Sequence, residues 1–138
     1  MRIEFIYIEG KKYPLSFSLA ASEKLLQDQK DLKNLSKILK DKNTPMHKKI
    51  DILCDILASL IYSGCQYYNA FNIAPYKDAP FFNEKFNPIS SEQIKVVLNP
   101  DSETLEMITK KITSCMQVSN KKKINTKIPT NAKKKQKN

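Results

Sequence analysis

The residues of this chain that could carry chemistry are few. Asp51 and Asp55 lie four positions apart in a predicted helix and share one face, where paired carboxylates could act in acid–base catalysis or bind a metal ion. Lysines lie beside them on the same stripe, so we interpret the pair as part of a solvated polar face. His47 is the only histidine, which excludes a metal site built from several histidines.

The cysteines do not suggest a catalytic or metal site either. Cys54 and Cys65 belong to one predicted helix, roughly 16 Å apart along its axis, which is too far for a disulfide bond. Cys115 has no neighbouring base, and the chain contains no phosphate-binding loop or GxSxG motif. We therefore predict a protein that is not an enzyme and that holds no cofactor or metal ion.

Charge is distributed unevenly along the chain. The net charge is +10, but residues 121–138 contain eight lysines and no acidic residue, so the remaining chain carries only +2. The lysine-rich end has neither arginine nor aromatic residues, so it could give only weak, non-specific contacts with nucleic acid phosphates. The N-terminal stretch lacks a signal-peptide pattern, the cysteine count is odd, and no uncharged stretch is long enough to span a membrane. These features predict a soluble, cytoplasmic protein.

The element that organises the chain is a long predicted helix from Thr44 to Asn72. Thr44 before Pro45 is typical of a helix start. Apolar residues then recur at three- and four-residue intervals on one face, and a polar face including Ser59 lies opposite. The apolar set is Ile50, Leu53, Cys54, Leu57, Leu60 and Ile61.

Shorter elements flank this helix. Alternation over Arg2–Phe17 predicts a β-hairpin that turns at Gly10, and Pro14 marks its strand as an edge. The hairpin either covers the core or offers this edge to a partner strand. Helices are predicted for the ranges Ser18–Asp28, Asp31–Lys42, Ser90–Leu98 and Asp101–Val118, the third with a capping box of Ser90 and Gln93. The alternative for the first two ranges is one bent helix.

Residues 73–87 are rich in aromatic side chains and contain Pro75 and Pro80, so we predict an irregular loop. Its rings could fold back as a satellite core or form an exposed contact surface. For the second alternative, the candidate partner-binding residues are Tyr76, Phe81, Phe82 and Phe86. Phe81 and Phe82 are the strongest candidates because adjacent rings outside a helix should point in different directions.

The predicted fold is mainly α. An N-terminal β-hairpin is followed by about five helices packed around one long central helix, and a disordered basic C-terminal tail ends the chain. Residues 1–118 form a single helical domain, and residues 119–138 form the lysine-rich tail, where periodicity ends.

The order of these signals resembles that of a known family. The pattern comprises GKKYPLSFSLAASEKL after a strand, a long helix ending in IYSGCQYYNAFN, and PISSEQIKVVLNPDSETLEMITKKI. It resembles the small tail assembly chaperones of bacteriophages and prophages of low-GC Gram-positive bacteria, over roughly residues 1 to 118. The resemblance implies a helical, non-catalytic protein that helps tail tube and tape measure proteins assemble in the host cytoplasm.

Two alternatives remain open at this point. One is a minor structural or connector protein of the phage particle, which purified virions would contain. The other is a basic-tailed module that binds nucleic acid without sequence specificity, through the lysines of residues 121–138.

Overall fold

The computed structural model describes residues 3–27 and 30–127. In chain order its elements are β1 (Glu4–Ile8), β2 (Lys11–Leu15), α1 (Leu19–Gln27), α2 (Leu32–Lys40), α3 (Met46–Ala70), β3 (Phe81–Phe82), β4 (Lys85–Phe86), α4 (Ser91–Val97) and α5 (Ser102–Lys127). This order confirms the predicted mainly helical fold with an N-terminal hairpin and a long central helix. Arg2 and Asp28, which bound two of the predicted elements, lie outside the described residues.

The first hairpin turns through Glu9 and Gly10. Both residues have positive φ values, 50° and 77°, as a type I′ turn requires. The hairpin covers the core, since it buries the side chains of Ile6, Ile8 and Leu15. The simpler of the two sequence interpretations is therefore correct for this face of the hairpin.

The outer edge of β2 is closed. The N–H of Lys12 donates to the carbonyl oxygen of Asp78 at 2.7 Å. Pro14 has no N–H to offer, and its carbonyl group lies directly against Gly64 of α3. The strand that proline marks is thus an edge of the sheet, but its open side is occupied by the rest of the fold.

The central helix α3 is buried on more sides than its sequence pattern predicts. Leu57 and Leu60 of the predicted apolar face are buried, but so is Ser59, which we assigned to the polar face. The hydroxyl of Ser59 donates to the carbonyl oxygen of Ile56 at 2.7 Å, which satisfies it within the helix. The assignment fails because the first hairpin, α1, α4 and α5 all pack on α3, so none of the residues from Ile52 to Cys65 is fully exposed.

The start of α3 also differs from the prediction. Pro45, rather than Thr44, occupies the N-cap position, and no side chain caps the first turn. Thr44 instead donates its hydroxyl to the carbonyl oxygen of Ile38 at 2.9 Å, which links the end of α2 to the beginning of α3. The capping box of α4 is present as predicted, with reciprocal hydrogen bonds between Ser90 and Gln93.

The two carboxylates of the predicted polar face each pair with a lysine from another segment. Lys95 of α4 lies 2.8 Å from Asp51, and this hydrogen bond lowers the pKa of the Asp51 carboxyl below its usual value. Lys30, just before α2, pairs with Asp55, whose side chain is only 18% exposed. Asp55 therefore lies at a contact between segments rather than on a solvated stripe.

Residues 73–87, which we predicted to be irregular, contain the short antiparallel hairpin of β3 and β4. Its turn is formed by Asn83 and Glu84, both with positive φ values of 54° and 61°. Pro80 precedes β3, where its carbonyl oxygen accepts a hydrogen bond from the N–H of Asn87 at 2.8 Å. The proline does not prevent pairing here because only its carbonyl oxygen is needed.

The last helix is longer than the sequence pattern suggests. It ends at Lys127, so residues 119–127 of the predicted disordered tail are helical and that boundary requires correction. No glycine or proline occurs between Ser102 and Lys127, and lysine is a good helix former, so nothing local stops the helix. Residues 128–138, the rest of the predicted tail, lie outside the described residues.

None of the helices in the described part of the chain is long and apolar enough to cross a membrane.

Candidate partner-binding surface

An aromatic cluster joins the second hairpin to the end of α3 and to the first hairpin. Phe86 is central to it, with its ring centroid 4.7 Å from that of Tyr68, 5.7 Å from Tyr76 and 5.4 Å from Phe81. Tyr76 also meets Phe5 of β1 edge-to-face at 5.4 Å. Such tilted and perpendicular ring pairs stabilise a structure beyond the burial of their area. The cluster therefore fixes the second hairpin in place.

Asn69, near the end of α3, fixes β4 with two hydrogen bonds. The N–H of Phe86 donates to the Asn69 amide oxygen at 2.7 Å, and the Asn69 amide nitrogen donates to the carbonyl oxygen of Phe86 at 3.0 Å. One side chain thus satisfies both backbone groups of a residue in a two-residue strand. This arrangement replaces the neighbouring strand that so short a hairpin lacks.

Phe86 requires a correction, because it was predicted to bind a partner. Its side chain is only 1% exposed and belongs to the core. The cause is strand alternation: in β4 Lys85 faces outward, so Phe86 must face inward onto the cluster.

Tyr76 is half-buried and links the two hairpins. Its hydroxyl donates to the carbonyl oxygen of Lys12 at 2.6 Å, and burial raises the pKa of this phenol above its usual value. The hydroxyl therefore remains a protonated donor at neutral pH. The Lys12 ammonium group lies 4.7 Å from the centre of the Phe5 ring and 5.8 Å from that of Tyr76. Tyr76 thus contributes mainly to the connection between the hairpins.

Phe81 and Phe82 are the exposed members of the predicted set. Alternation along β3 turns the two rings to opposite sides, as we predicted for adjacent residues outside a helix. Phe81 packs on Phe86 and is 39% exposed, whereas Phe82 is 70% exposed. Of the four candidates, Phe82 is therefore the one whose ring is most available to a partner.

A groove of about 620 Å³ lies between the second hairpin, the first hairpin and α4. We call it the aromatic groove, and its apolar lining includes Tyr13, Phe81, Phe82, Ile89, Val96 and Val97. Val96 of α4 is 81% exposed, so two large apolar side chains, Phe82 and Val96, face solvent here. Glu9, Lys11 and Gln93 add polar groups to the same lining. An apolar surface bordered by polar groups is typical of a protein-binding site.

The three cysteines lie outside this groove. The thiols of Cys54, Cys65 and Cys115 are buried, and burial raises the pKa of Cys65 and Cys115 to about 12. A thiol with so high a pKa supplies almost no thiolate at neutral pH. Within residues 3–27 and 30–127, no group of three or more histidine, cysteine or acidic side chains is placed to hold a metal ion.

Asn69→Ala is expected to destabilise the fold by about 1–3 kcal/mol, because it leaves two partly buried backbone groups of Phe86 without partners. Urea unfolding followed by circular dichroism measures this change. Lys85→Ala, at the exposed neighbouring position, is the matched control and should unfold like the parent protein. An unchanged midpoint for Asn69→Ala would show that water replaces the asparagine at no cost.

Sequence reasoning missed two residues of this region, Val96 and Asn69. Val96 could have been found, since helical spacing places it off the inward stripe that contains Ile94 and Val97. The role of Asn69 had no sequence signal, because its partner Phe86 lies 17 positions away in a strand that we did not predict.

No family model, no curated protein and no solved structure matches this chain.

Proposed function

We propose that this protein is a bacteriophage tail assembly chaperone that binds tail tube or tape measure proteins through the aromatic groove and acts by contact, without catalysis. The observation that carries the contact role is the exposure of Phe82 and Val96, 70% and 81%, which both line one groove. The nature of the client comes from the resemblance of the sequence to tail assembly chaperones.

The physical argument is one of matching surfaces. Subunits that later pack into a tube must expose apolar segments before they assemble. Binding of such a segment in an apolar groove is favourable because it removes the apolar surfaces of both partners from water. Phenylalanine suits this purpose because its large ring loses few rotamers on binding. Glu9 and Lys11 in the same lining offer hydrogen bonds to the backbone of a bound segment.

Phe82→Ala is the variant that tests this proposal. We expect its affinity for the tail tube or tape measure protein to fall at least about 10-fold, since it removes a central contact. The fold should persist, because a side chain exposed to this degree contributes less than about 0.5 kcal/mol to stability. The measurement is pull-down of the co-expressed phage proteins, followed by titration calorimetry and a thermal melt of the variant.

Leu26→Ala is the matched control, because Leu26 is a large apolar residue of α1 that is 63% exposed and does not line the aromatic groove. It should capture the client as the parent protein does. Equal capture by the Phe82→Ala variant, or equal loss with Leu26→Ala, would count against the groove as the binding site. Phe81 is a poorer choice of variant because its ring also supports Phe86.

A further inference from the structure

The outer edge of β1 carries backbone hydrogen-bonding groups that point away from β2. In an antiparallel pair, opposed residues alternate between those that exchange two hydrogen bonds and those that exchange none. The N–H of Lys12 leaves the hairpin for Asp78, so the Tyr7–Lys12 pair is of the second kind. Alternation makes Phe5–Pro14 another such pair, which suits the missing N–H of proline. The backbone groups of Phe5 and Tyr7 therefore face outward.

This edge is open in the part of the chain that the structure describes. The backbone hydrogen bonds between elements include none to Phe5 or Tyr7, and the Tyr7 side chain is 56% exposed. The strand EFIYI contains no lysine or proline and pairs without a bulge, so its only charged side chain is that of Glu4, and α5 is the helix that packs against it. An apolar and aromatic edge of this kind is a template for another strand.

We propose that β1 of one copy of this chain pairs antiparallel with β1 of a second copy, so that the two hairpins form one continuous four-stranded sheet. A two-fold axis would relate the copies, which makes the contact self-complementary and closed. Growth would stop at the dimer, because the outer edge of β2 is already occupied by Asp78 and α3. The proposal stands independently of the client proposed above.

One strand register provides hydrogen-bond partners for the outward backbone groups of both Phe5 and Tyr7. With Ile6 on the two-fold axis, Phe5 lies opposite Tyr7 of the second copy, and each of these symmetric pairs exchanges both of its backbone hydrogen bonds. The same register places a phenylalanine across from a tyrosine, a favourable cross-strand combination. The junction would thus consist of backbone bonding reinforced by aromatic contacts.

A second copy brings no like charges together in this register, which favours it as the occupant. In this register Glu4 lies opposite Ile8 of the second copy, so the two carboxylates do not meet. Lys11 is the hairpin partner of Ile8. Across the joined sheet, Glu4 of one copy is therefore followed by Ile8 and then by Lys11 of the second copy. Like charges are never directly opposed across the junction, which strand pairing requires.

The first experiment measures the oligomeric state of the full chain by sedimentation equilibrium over a concentration series. The parent protein should dimerise, and Tyr7→Pro should raise the dimer dissociation constant at least about 10-fold, since proline removes an outward donor and obstructs the edge. The hairpin's own ladder does not use this N–H, so circular dichroism should be retained. Tyr7→Thr keeps the donor and the β-propensity and should dimerise more readily than Tyr7→Pro.

The second experiment needs no variant. Amide hydrogen exchange of the parent protein should show protected amides at Phe5 and Tyr7 at high concentration and lost protection on dilution. The amides of Ile6 and Ile8, which are bonded within the hairpin, should remain protected at both concentrations.

Four results would overturn the proposal. One is a parent protein that is monomeric at every concentration. Another is a dimer that Tyr7→Pro leaves intact, and the third is rapid exchange at Tyr7 when the dimer predominates. Protection of Tyr7 that appears only when a different protein is added would identify a foreign strand as the occupant and would equally exclude the second copy.

Discussion

Gly64→Ala is expected to destabilise the protein by about 3 kcal/mol, near the upper end for an overpacked interior. Gly64 lies where α3 meets β2, and an added Cβ would overlap the carbonyl group of Pro14. A backbone obstacle cannot rotate away as a side chain could, so α3 and β2 would have to separate. Separation would also strain the neighbouring contact between the hydroxyls of Ser16 and Ser63, which are 2.7 Å apart.

The sign of this effect is diagnostic, because helix propensity alone favours alanine over glycine by about 1 kcal/mol. Chemical denaturation of the Gly64→Ala variant measures the balance. Gln66→Ala, at an exposed position two residues further along α3, serves as the control and should stay within about 0.5 kcal/mol of the parent protein. A stabilised Gly64→Ala variant would mean that the strand does not approach the helix as closely as described.

Leu57→Ala is expected to cost about 2–5 kcal/mol through lost burial and the cavity that remains. Leu57 lies at the middle of α3 and is 0% exposed. The first hairpin, α1, α4 and α5 all pack on this helix, so several elements would have to move to fill the space. The free energy of unfolding in urea is the appropriate measurement, and the value depends on how far these elements can collapse.

Asp55→Ala is the comparison for Leu57, since both residues lie in the middle of α3. The sequence pattern alone predicts a change below about 0.5 kcal/mol, as for a solvated surface position. The ion pair with Lys30 raises this expectation to about 1 kcal/mol at most, because Lys30 is more than a third exposed and solvent screens the pair. If Asp55→Ala proved the more damaging of the two, the packing around α3 would have to be revised.

Features that depend on near neighbours could be predicted from the sequence. The central helix, the turn at Gly10 and the capping box of Ser90 and Gln93 all arise from residues within a few positions of one another. The different directions of the Phe81 and Phe82 rings were also predictable, since adjacent residues in an extended segment face opposite sides.

Features that depend on distant segments were settled only by folding. Ser59 is buried because the first hairpin, α1, α4 and α5 pack on α3, and Phe86, which strand alternation turns inward, is buried because Tyr68 and Asn69 of α3 lie on that side. The open edge is β1 rather than the proline-marked β2, since Asp78, more than sixty positions away, reaches the outer side of Lys12. Local sequence cannot specify such contacts, because burial and hydrogen bonding depend on which segments meet in space and not on their separation along the chain.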